Sequence, residues 1–338
     1  MNKIRLILHL AIVITFFGVL PAWSQSSINK LVVGTQQDAN TLVNGYLSPA
    51  LSVIGYGLNQ GWYNTAQPHK VLGFDLTATF NFIKVPTSAL TYYVDNSKLN
   101  NIELLGSSGA PQSGYVPTVF GSDVAPTYRY KNPPNTQFSG APGVNLSKVP
   151  VISNSLPVPI AQVGIGLPKG FELKVRFVPA IKFGDNSASS FNLFGVGVMN
   201  DVKQYIPGVK TLPFDLSAFV GYTKMDMNVT FDASHSQKGT LSSSATTIQG
   251  IISKKFAVLT AYAALGYNIA NTKSSVTGNY DLTGLGTYVP IQVNLSGAAT
   301  GPRATFGLRL KLAVFTFHGE YTAQKYSSLA LGFGIAVR

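Results

Sequence analysis

The chain has no cysteine in its 338 residues, and charged residues make up only 11% of it. Without cysteine there is no disulfide framework, thiolate metal site or cysteine nucleophile. The charged fraction is well below the roughly 25% of an ordinary soluble domain. Beyond the N-terminal stretch, no apolar run approaches the roughly 20 residues that a membrane-spanning helix needs. Membrane strands need only about 10 residues each, so these absences leave room for a β-barrel.

Residues 1–24 are predicted to form a signal peptide. Lys3 and Arg5 supply its positive start, residues 6–20 form an apolar stretch, and small residues precede Gln25. The alternative, a membrane helix, is disfavoured because the apolar stretch is short. The signal peptide therefore predicts an exported protein, which could be secreted, periplasmic or a barrel, and the strand pattern of the chain favours the bacterial outer membrane.

The last thirteen residues alternate with a period of two, which indicates a β-strand. One face carries bulky apolar residues and the other carries small ones: Leu329, Leu331, Phe333, Ile335 and Val337 against Ala330, Gly332, Gly334 and Ala336. Lipid on one side and a crowded lumen on the other would produce this pattern. A soluble β-sandwich, the alternative, more often places charged residues on its outer face.

The same alternation recurs upstream and predicts an all-β fold, a transmembrane antiparallel outer-membrane β-barrel. The predicted strands cover residues 69–82, 158–167, 171–183, 190–198, 214–231, 246–255, 257–271, 302–312, 315–325 and 329–337. The count is about ten, with 8–14 open because long loops can hide further hairpins. The barrel domain is predicted to be 69–338, with long extracellular loops 86–156 and 272–300 and a polar loop at 234–244.

Residues 25–68 are predicted to be an N-terminal helical segment. Thr35 suits the N-cap of a short first piece, and Ser48 with Pro49 makes a stronger helix start. We expect the segment at or in the periplasmic mouth, either plugging the lumen or lying against the mouth. An apolar pocket beside it is predicted from Leu51, Ile54, Leu58, Trp62 and Tyr63.

Three stretches carry a family resemblance: residues 57–66 (GLNQGWYNTA), 69–75 (HKVLGFD) and 200–207 (NDVKQYIP). The chain resembles Bacteroidota outer-membrane barrels of a family without an assigned function. It is more distantly similar, in architecture alone, to long-chain fatty-acid transporter barrels, which also place a helical plug before the first strand. That likeness implies passive uptake of an apolar solute and transfers no residue.

Outer-membrane barrels of this kind are built by the barrel assembly machinery, which often recognises a terminal aromatic residue. This chain ends on Arg338, and Phe333 is the aromatic residue available to replace one.

Charged residues predicted to face the lumen form the main candidate site. They are Asp75, Glu172, Lys174, Arg176, Asp215, Arg303, Arg309, Lys311, His318 and Glu320. Buried charges must be paired or hydrated, so one interpretation is a salt-bridge network that fills the barrel. The other is a polar path whose surplus cations select an anion or an amphipathic carboxylate.

Enzyme chemistry has little support. The histidines beyond the signal peptide are His69, His235 and His318, and they form no His-x-x-x-His pair, so no metal or other cofactor is predicted. There is no Gly-x-Ser-x-Gly nucleophile elbow.

The net charge of +12 favours lipid head groups or anionic solutes over nucleic acid in an exported chain. The sequence predicts passive transport or binding of a hydrophobic, amphipathic or anionic solute. The alternative is a structural or surface-interaction protein that acts through its extracellular loops.

Overall fold

The computed structural model describes residues 29–132, 136–148, 154–184, 187–282 and 286–337, and the predicted signal peptide lies outside these ranges. Ten antiparallel strands form a closed ring. In ring order they are β1 (Phe74–Lys84), β7 (Ser155–Leu167), β8 (Phe171–Phe183), β9 (Ser189–Asp201), β10 (Asp215–Asp232), β11 (Gln237–Phe256), β12 (Leu259–Asp281), β14 (Gly301–Leu312), β15 (Phe315–Ala323) and β16 (Ser328–Val337). The prediction of an antiparallel barrel of about ten strands is confirmed.

The first and last strands close the ring. β1 and β16 pair over ten residues, from Phe74–Val337 to Ile83–Ser328. We call the end where β1 begins the turn end, because tight connections such as Pro168–Gly170 lie there. The opposite end, which carries residues 85–154, is the loop end. Every strand of the ring runs between these two ends.

The outer face of the ring is apolar and the inner face is polar. On β1, Leu76 is 53% exposed while the next residue, Thr77, is 2% exposed. The alternation predicted for β16 is also present, since Leu331 is half exposed and Ala330 is buried. Apolar side chains in contact with solvent would be costly, whereas lipid accommodates them. The fold is that of a transmembrane barrel.

One long helix, α1 (Gln36–Leu58), precedes the barrel strands. Thr35 caps it: its hydroxyl accepts from the Asp38 amide at 3.2 Å, and the Asp38 carboxylate accepts from the Thr35 amide at 3.0 Å. The prediction of a second start at Ser48 was wrong, because the helix continues through Pro49. A proline inside a helix removes one donor and favours a kink, and burial of the surrounding helix stabilises it there.

The helix lies in the half of the barrel nearest the loop end. It packs most extensively against β13 (Tyr288–Ala298), a strand that pairs with the loop-end extension of β12. The amide of Gly34 donates to the carbonyl of Leu282, which also lies at the loop end. The expectation that the helix occupies the mouth where β1 begins was therefore wrong. The intervening chain, residues 59–73, runs through the rest of the lumen from the end of α1 down to β1.

Two predicted loops are largely strands. Residues 237–244 belong to β11, and the segment 272–300 holds the end of β12 and all of β13. Their outward faces are polar, and the apolar residues that alternate with them on β13, such as Ile291, Val293 and Leu295, face inward and are buried, so these stretches lack a lipid-facing apolar face. They rise above the apolar band, where the ladders with neighbouring strands hold them instead of lipid.

Residues 85–148 fold into a substructure that we call the cap. It contains two small sheets: β2 (Thr91–Val94) with β4 (Gly114–Pro117), and β3 (Ile102–Leu104) with β5 (Thr127–Tyr130) and β6 (Gln137–Ser139). The sequence predicts one long loop without regular structure over residues 86–156, whereas the described part of this interval contains five short strands. Among the described residues, no helix is long and apolar enough to cross a membrane.

The cap covers the loop end of α1. The hydroxyl of Tyr46 donates to the carbonyl of Pro142 at 2.8 Å, and the Asp38 carboxylate accepts from the amides of Asn100 and Asn101. Burial between cap and helix raises the pKa of Tyr92 and that of Tyr128 far above the ordinary tyrosine value. These phenols therefore stay neutral at any physiological pH.

Candidate functional site: the occupied lumen and the open seam

Two arginines of the barrel wall hold the lower end of α1. Arg176 on β8 donates to the carbonyls of Leu58 at 2.9 Å and Gln60 at 2.6 Å. Arg303 on β14 donates to the carbonyl of Asn59 at 2.7 Å and to the side chain of Gln60 at 2.9 Å. The last turn of α1 contains no basic residue. The wall thus supplies the positive charge that the negative end of a helix favours.

Below the helix, aromatic side chains fill the lumen. The guanidinium of Arg176 stacks over the Trp62 ring at 3.4 Å, and Trp62 also packs against Phe219. The indole fits because the wall has no side chain at Gly221, where a Cβ would lie 2.7 Å from the Trp62 ring. Tyr63 donates to the side-chain oxygen of Gln249 at 2.5 Å. Trp62 is 1% exposed, so water has little access to this level.

A compact charge network lies nearer the turn end. The Lys174 ammonium contacts the carboxylates of Glu172 and Asp75, the latter at 3.9 Å. His69, at the end of the lumen segment, lies 3.2 Å from Glu172 through its Nδ1. His69, Asp75 and Glu172 each bring one ligand atom within 4.8 Å of the others, the usual composition of a metal site. Lys174 already contacts both carboxylates, so a metal ion would have to displace its ammonium.

The remaining predicted lumen charges separate by depth. Glu320 accepts from the hydroxyl of Tyr262 at 2.9 Å, and His318 lies 3.3 Å from the hydroxyl of Thr79. Arg309 is buried and pairs across the ladder with His318. Two residues lie at the turn-end rim and are only half buried: Asp215 and Lys311. The set therefore forms two buried clusters and a rim rather than one continuous path.

The residues predicted to line an apolar pocket are packed. Leu51 and Leu58 are buried in one apolar cluster, against which the half-buried Ile54 packs, while Trp62 and Tyr63 are buried in a second cluster below it. The Leu51 side chain fills the space above Gly297 on β13. These side chains thus form the core between helix and wall.

One junction of the ring is incomplete. β7 and β8 pair over only five residues, from Val163–Val175 to Leu167–Phe171, the shortest ladder in the ring. Among the described residues, 155–162 of β7 and 176–183 of β8 form no pairs with each other. Each stretch remains paired with its other neighbour, β1 or β9. We call this unpaired interval at the loop-end half of the wall the seam.

Prolines explain why the ladder stops. Gly166 exchanges backbone hydrogen bonds with Leu72 and Gly73 on the β1 side. Alternate residues of a strand direct their backbone groups to opposite sides, so the odd-numbered residues of β7 face β8. Pro157 and Pro159 occupy this edge, and neither has an N–H to donate.

The opposite edge of the seam is irregular as well. β8 carries Pro179, and its register with β9 shifts between Val178 and Ile181. A bulge bends a strand and increases its twist, and this one lies in the part of β8 that has no pairs with β7. Sequence reasoning missed the seam, although Pro159 and Pro179 within two predicted strands, and Pro157 directly before the first of them, were a visible signal.

The lower limit of the seam lies beside the lumen segment. Gln162 and Arg176 are the first residues beyond the last ladder pair, and they bond through their side chains at 3.1 Å. Gln162 also donates to the carbonyl of Trp62 at 3.0 Å. Higher up, Val158 of β7 packs onto Gly57 of α1, where a Cβ would lie 2.8 Å from it. The seam therefore faces the lower end of the helix.

The chain belongs to a family of unknown function, DUF6588, which it matches over residues 1–337. A comparison with curated proteins finds no match. Similar solved structures include the translocator domain of the autotransporter NalP from Neisseria meningitidis, with 8% identity, 86% of this chain and 93% of that chain covered, and a TM-score of 0.28.

Two channels are also similar. The outer-membrane channel DcaP of Acinetobacter baumannii has 9% identity, covering 78% of this chain and 96% of its own, with a TM-score of 0.19. A deletion mutant of the TodX monoaromatic hydrocarbon channel has 8% identity, covering 80% and 90%, with a TM-score of 0.21. At these scores the likenesses carry no argument about function.

Proposed function

We propose that this protein is an outer-membrane barrel that passes or binds a hydrophobic or amphipathic solute through the seam between β7 and β8. The observation that carries the proposal is the ladder that stops at Val163–Val175. Within hydrocarbon, unpaired strand edges are costly unless something satisfies them or few donors remain. The prolines on these edges reduce the number of donors, so an opening toward the membrane is tolerated at this place.

An aqueous route along the barrel axis is disfavoured. The lumen contains α1 and the segment 59–73, and Arg176, Trp62 and Gln60 have 1% exposure or less. A solute would have to move this chain to pass from end to end. A lateral route needs only the seam, which lies beside the lower end of α1.

The solute class follows from the charges at the seam. The Arg176 guanidinium is the charge at the lower limit of the seam, and its Nε, Nη1 and Nη2 atoms already donate to Gln162, Leu58 and Gln60. An incoming carboxylate would have to replace these bonds. Apart from the Gln162 amide, the seam side chains that face inward beside the core are apolar: Leu156, Val158, Ile160, Val178 and Phe183. A neutral apolar solute, or one with a weakly polar end, suits this surface better than an anion.

A pair of engineered disulfides tests the route, because the chain has no cysteine of its own. Ala161→Cys with Phe177→Cys places outward-facing thiols two residues beyond the last ladder pair, at the next outward-facing positions of both strands. Val163→Cys with Val175→Cys places the matched pair within the ladder. Uptake of an uncharged apolar dye into liposomes containing the mature protein is measured with each pair oxidised and reduced.

We expect oxidation of the 161/177 pair to abolish uptake and reduction to restore it, while the 163/175 pair leaves uptake unchanged. Uptake that continues through the closed 161/177 barrel would contradict the lateral route. A charged hydrophilic dye serves as the reference for leakage in all samples.

A second candidate function has its own observation, the ordered cap. Tyr93 and Tyr115 pair across β2 and β4 with ring centroids 5.3 Å apart, and they are 56% and 75% exposed. Exposed aromatic pairs are uncommon unless they contact a partner. The cap thus supports a surface-interaction role, which Tyr93→Ser with Tyr115→Ser would abolish without changing dye uptake. Binding of the mature protein to intact cells that produce or lack it measures this role.

A further inference from the structure

The outer face of β11, β12, β14 and β15 carries an apolar groove of about 770 Å³ near the turn end. Its floor consists of Ala261 and Ala263, which lie side by side along β12. Its walls are larger side chains on the neighbouring strands: Ile252 on β11, Phe306 and Leu308 on β14, and Tyr321 on β15. The volume lies within the range of sites that hold small ligands.

The strand register explains the shape. Ala263 pairs with Ile252 on one side and Phe306 on the other, and Ala261 pairs with Lys254 and Leu308. Two methyl groups therefore lie between longer side chains at two successive levels of the wall. Gly319 on β15, which pairs with Leu308, widens the groove at the lower level.

A positive charge marks the turn-end limit of the groove. Lys254 lines it and faces outward, and within the described part of the chain Lys254 has no carboxylate in ion-pair distance. Its ammonium lies over the Phe256 ring at 5.3 Å, as expected near a membrane interface. Lys255 and Lys311 lie close by on the rim and repel each other's charge.

We propose that this groove binds a phospholipid with an anionic head group, with an acyl chain on Ala261 and Ala263 and the head group at Lys254. Charge complementarity favours this occupant, because the site combines an apolar groove with lysine ammonium groups at its turn end. A second copy of the chain fits less well. A two-fold axis along the membrane normal would place the two Lys254 residues at the same depth, where like charges face each other.

Tryptophan fluorescence tests the proposal in bilayers. Beyond the predicted signal peptide the only tryptophan is Trp62, buried in the lumen, which gives a constant background. Tyr321→Trp places a reporter on the groove wall, and Phe80→Trp places a control reporter on the outer face of β1. Quenching is measured in the mature protein with brominated phosphatidylglycerol and, separately, with brominated phosphatidylethanolamine.

We expect the relative affinity of the anionic lipid for the groove, measured by quenching at position 321, to be about fivefold higher than that of the zwitterionic lipid. This is about the effect of one lysine on the binding of an anionic lipid. The preference should disappear with Lys254→Gln and also with Ala263→Phe, which fills the groove. It should persist with Lys182→Gln at the loop end, and position 80 should show no preference.

Equal quenching by both lipids at positions 321 and 80 would overturn the proposal. Protection of position 321 from every lipid, together with dimers in analytical ultracentrifugation, would overturn it in favour of a second copy. Folding of each variant is checked by the heat-dependent shift in gel mobility that closed barrels show.

Discussion

The junction between β1 and β16 and the junction between β7 and β8 are built from strands of similar length, yet only one of them is complete. β1 and β16 pair over ten residues, and the pairing faces of both consist of residues with N–H donors. β7 and β8 share five pairs and place prolines on the edges that would continue the ladder. Backbone donors, rather than apolar content, therefore distinguish a closed junction from an open one in this barrel.

The largest expected effect comes from moving prolines between paired and unpaired edges. Ile160→Pro removes an N–H that faces β1, and Leu331→Pro removes one from β16, which is paired on both sides. Each should destabilise the barrel by about 1–3 kcal/mol, because the lost ladder hydrogen bond leaves a carbonyl of the neighbouring strand unsatisfied. Ala161→Pro, whose N–H faces the seam, should cost far less.

Urea unfolding of the mature protein in micelles measures these free energies. Positions 160 and 161 are neighbours on one strand, which makes each the control of the other. Equal destabilisation at 160 and 161 would mean that β7 is paired on both of its edges and that the seam is closed.

The second prediction concerns what lies behind the seam. Arg176→Met removes the donors to Leu58 and Gln60 and leaves buried carbonyls unsatisfied, at a cost of about 1–3 kcal/mol for each group. The lumen segment should loosen, and ion conductance of the barrel in planar bilayers should rise. Lys182→Met, an exposed residue on the same strand, is the matched control. If Arg176→Met does not raise the conductance, and residues 59–73 resist protease as they do in the wild type, packing alone retains the segment.

The smallest effect concerns the cap, which lies outside the membrane band. The Lys148 ammonium, bonded to Asp123 at 2.5 Å, lowers the pKa of that carboxyl to about 2. Because the folded pKa is depressed, this pair stabilises the cap above the ordinary aspartate value of about 4 and is lost as the pH falls toward 2. Limited proteolysis of the cap should therefore increase slightly over that interval in the wild type. Asp123→Asn should show the same mild susceptibility at every pH.

Much of the wall could be predicted from sequence because lipid imposes a simple rule on it. Leu76 and Thr77, or Phe171 and Glu172, alternate so regularly that strand and facing direction follow directly. The rule fails for residues 237–244, which lie beyond the lipid and have no apolar outer face. It also fails for Pro49, where local preference predicts a helix start but the surrounding packing holds a continuous helix.

The site depended on information that no local pattern contains. That Arg176 and Arg303 face the lumen follows from alternation, but their acceptors are carbonyls more than a hundred residues away. The seam likewise depends on which edge Pro157 and Pro159 occupy, which becomes defined only once β1 is known to be the other neighbour of β7. Pairing partners, not residue types, were the missing knowledge.

Spin labels across the two junctions test the open seam most directly. One sample carries labels at Ala161→Cys and Phe177→Cys across the seam, and the other at Ala78→Cys and Phe333→Cys, an outward pair within the β1–β16 ladder. Dipolar broadening in lipid bilayers reports the separation of each pair. If the seam is open, broadening should be clearly stronger for 78/333 than for 161/177, because the two edges begin to separate at positions 161 and 177. Equally strong broadening in both samples would mean that the seam is closed in the membrane, and the lateral route would then be wrong.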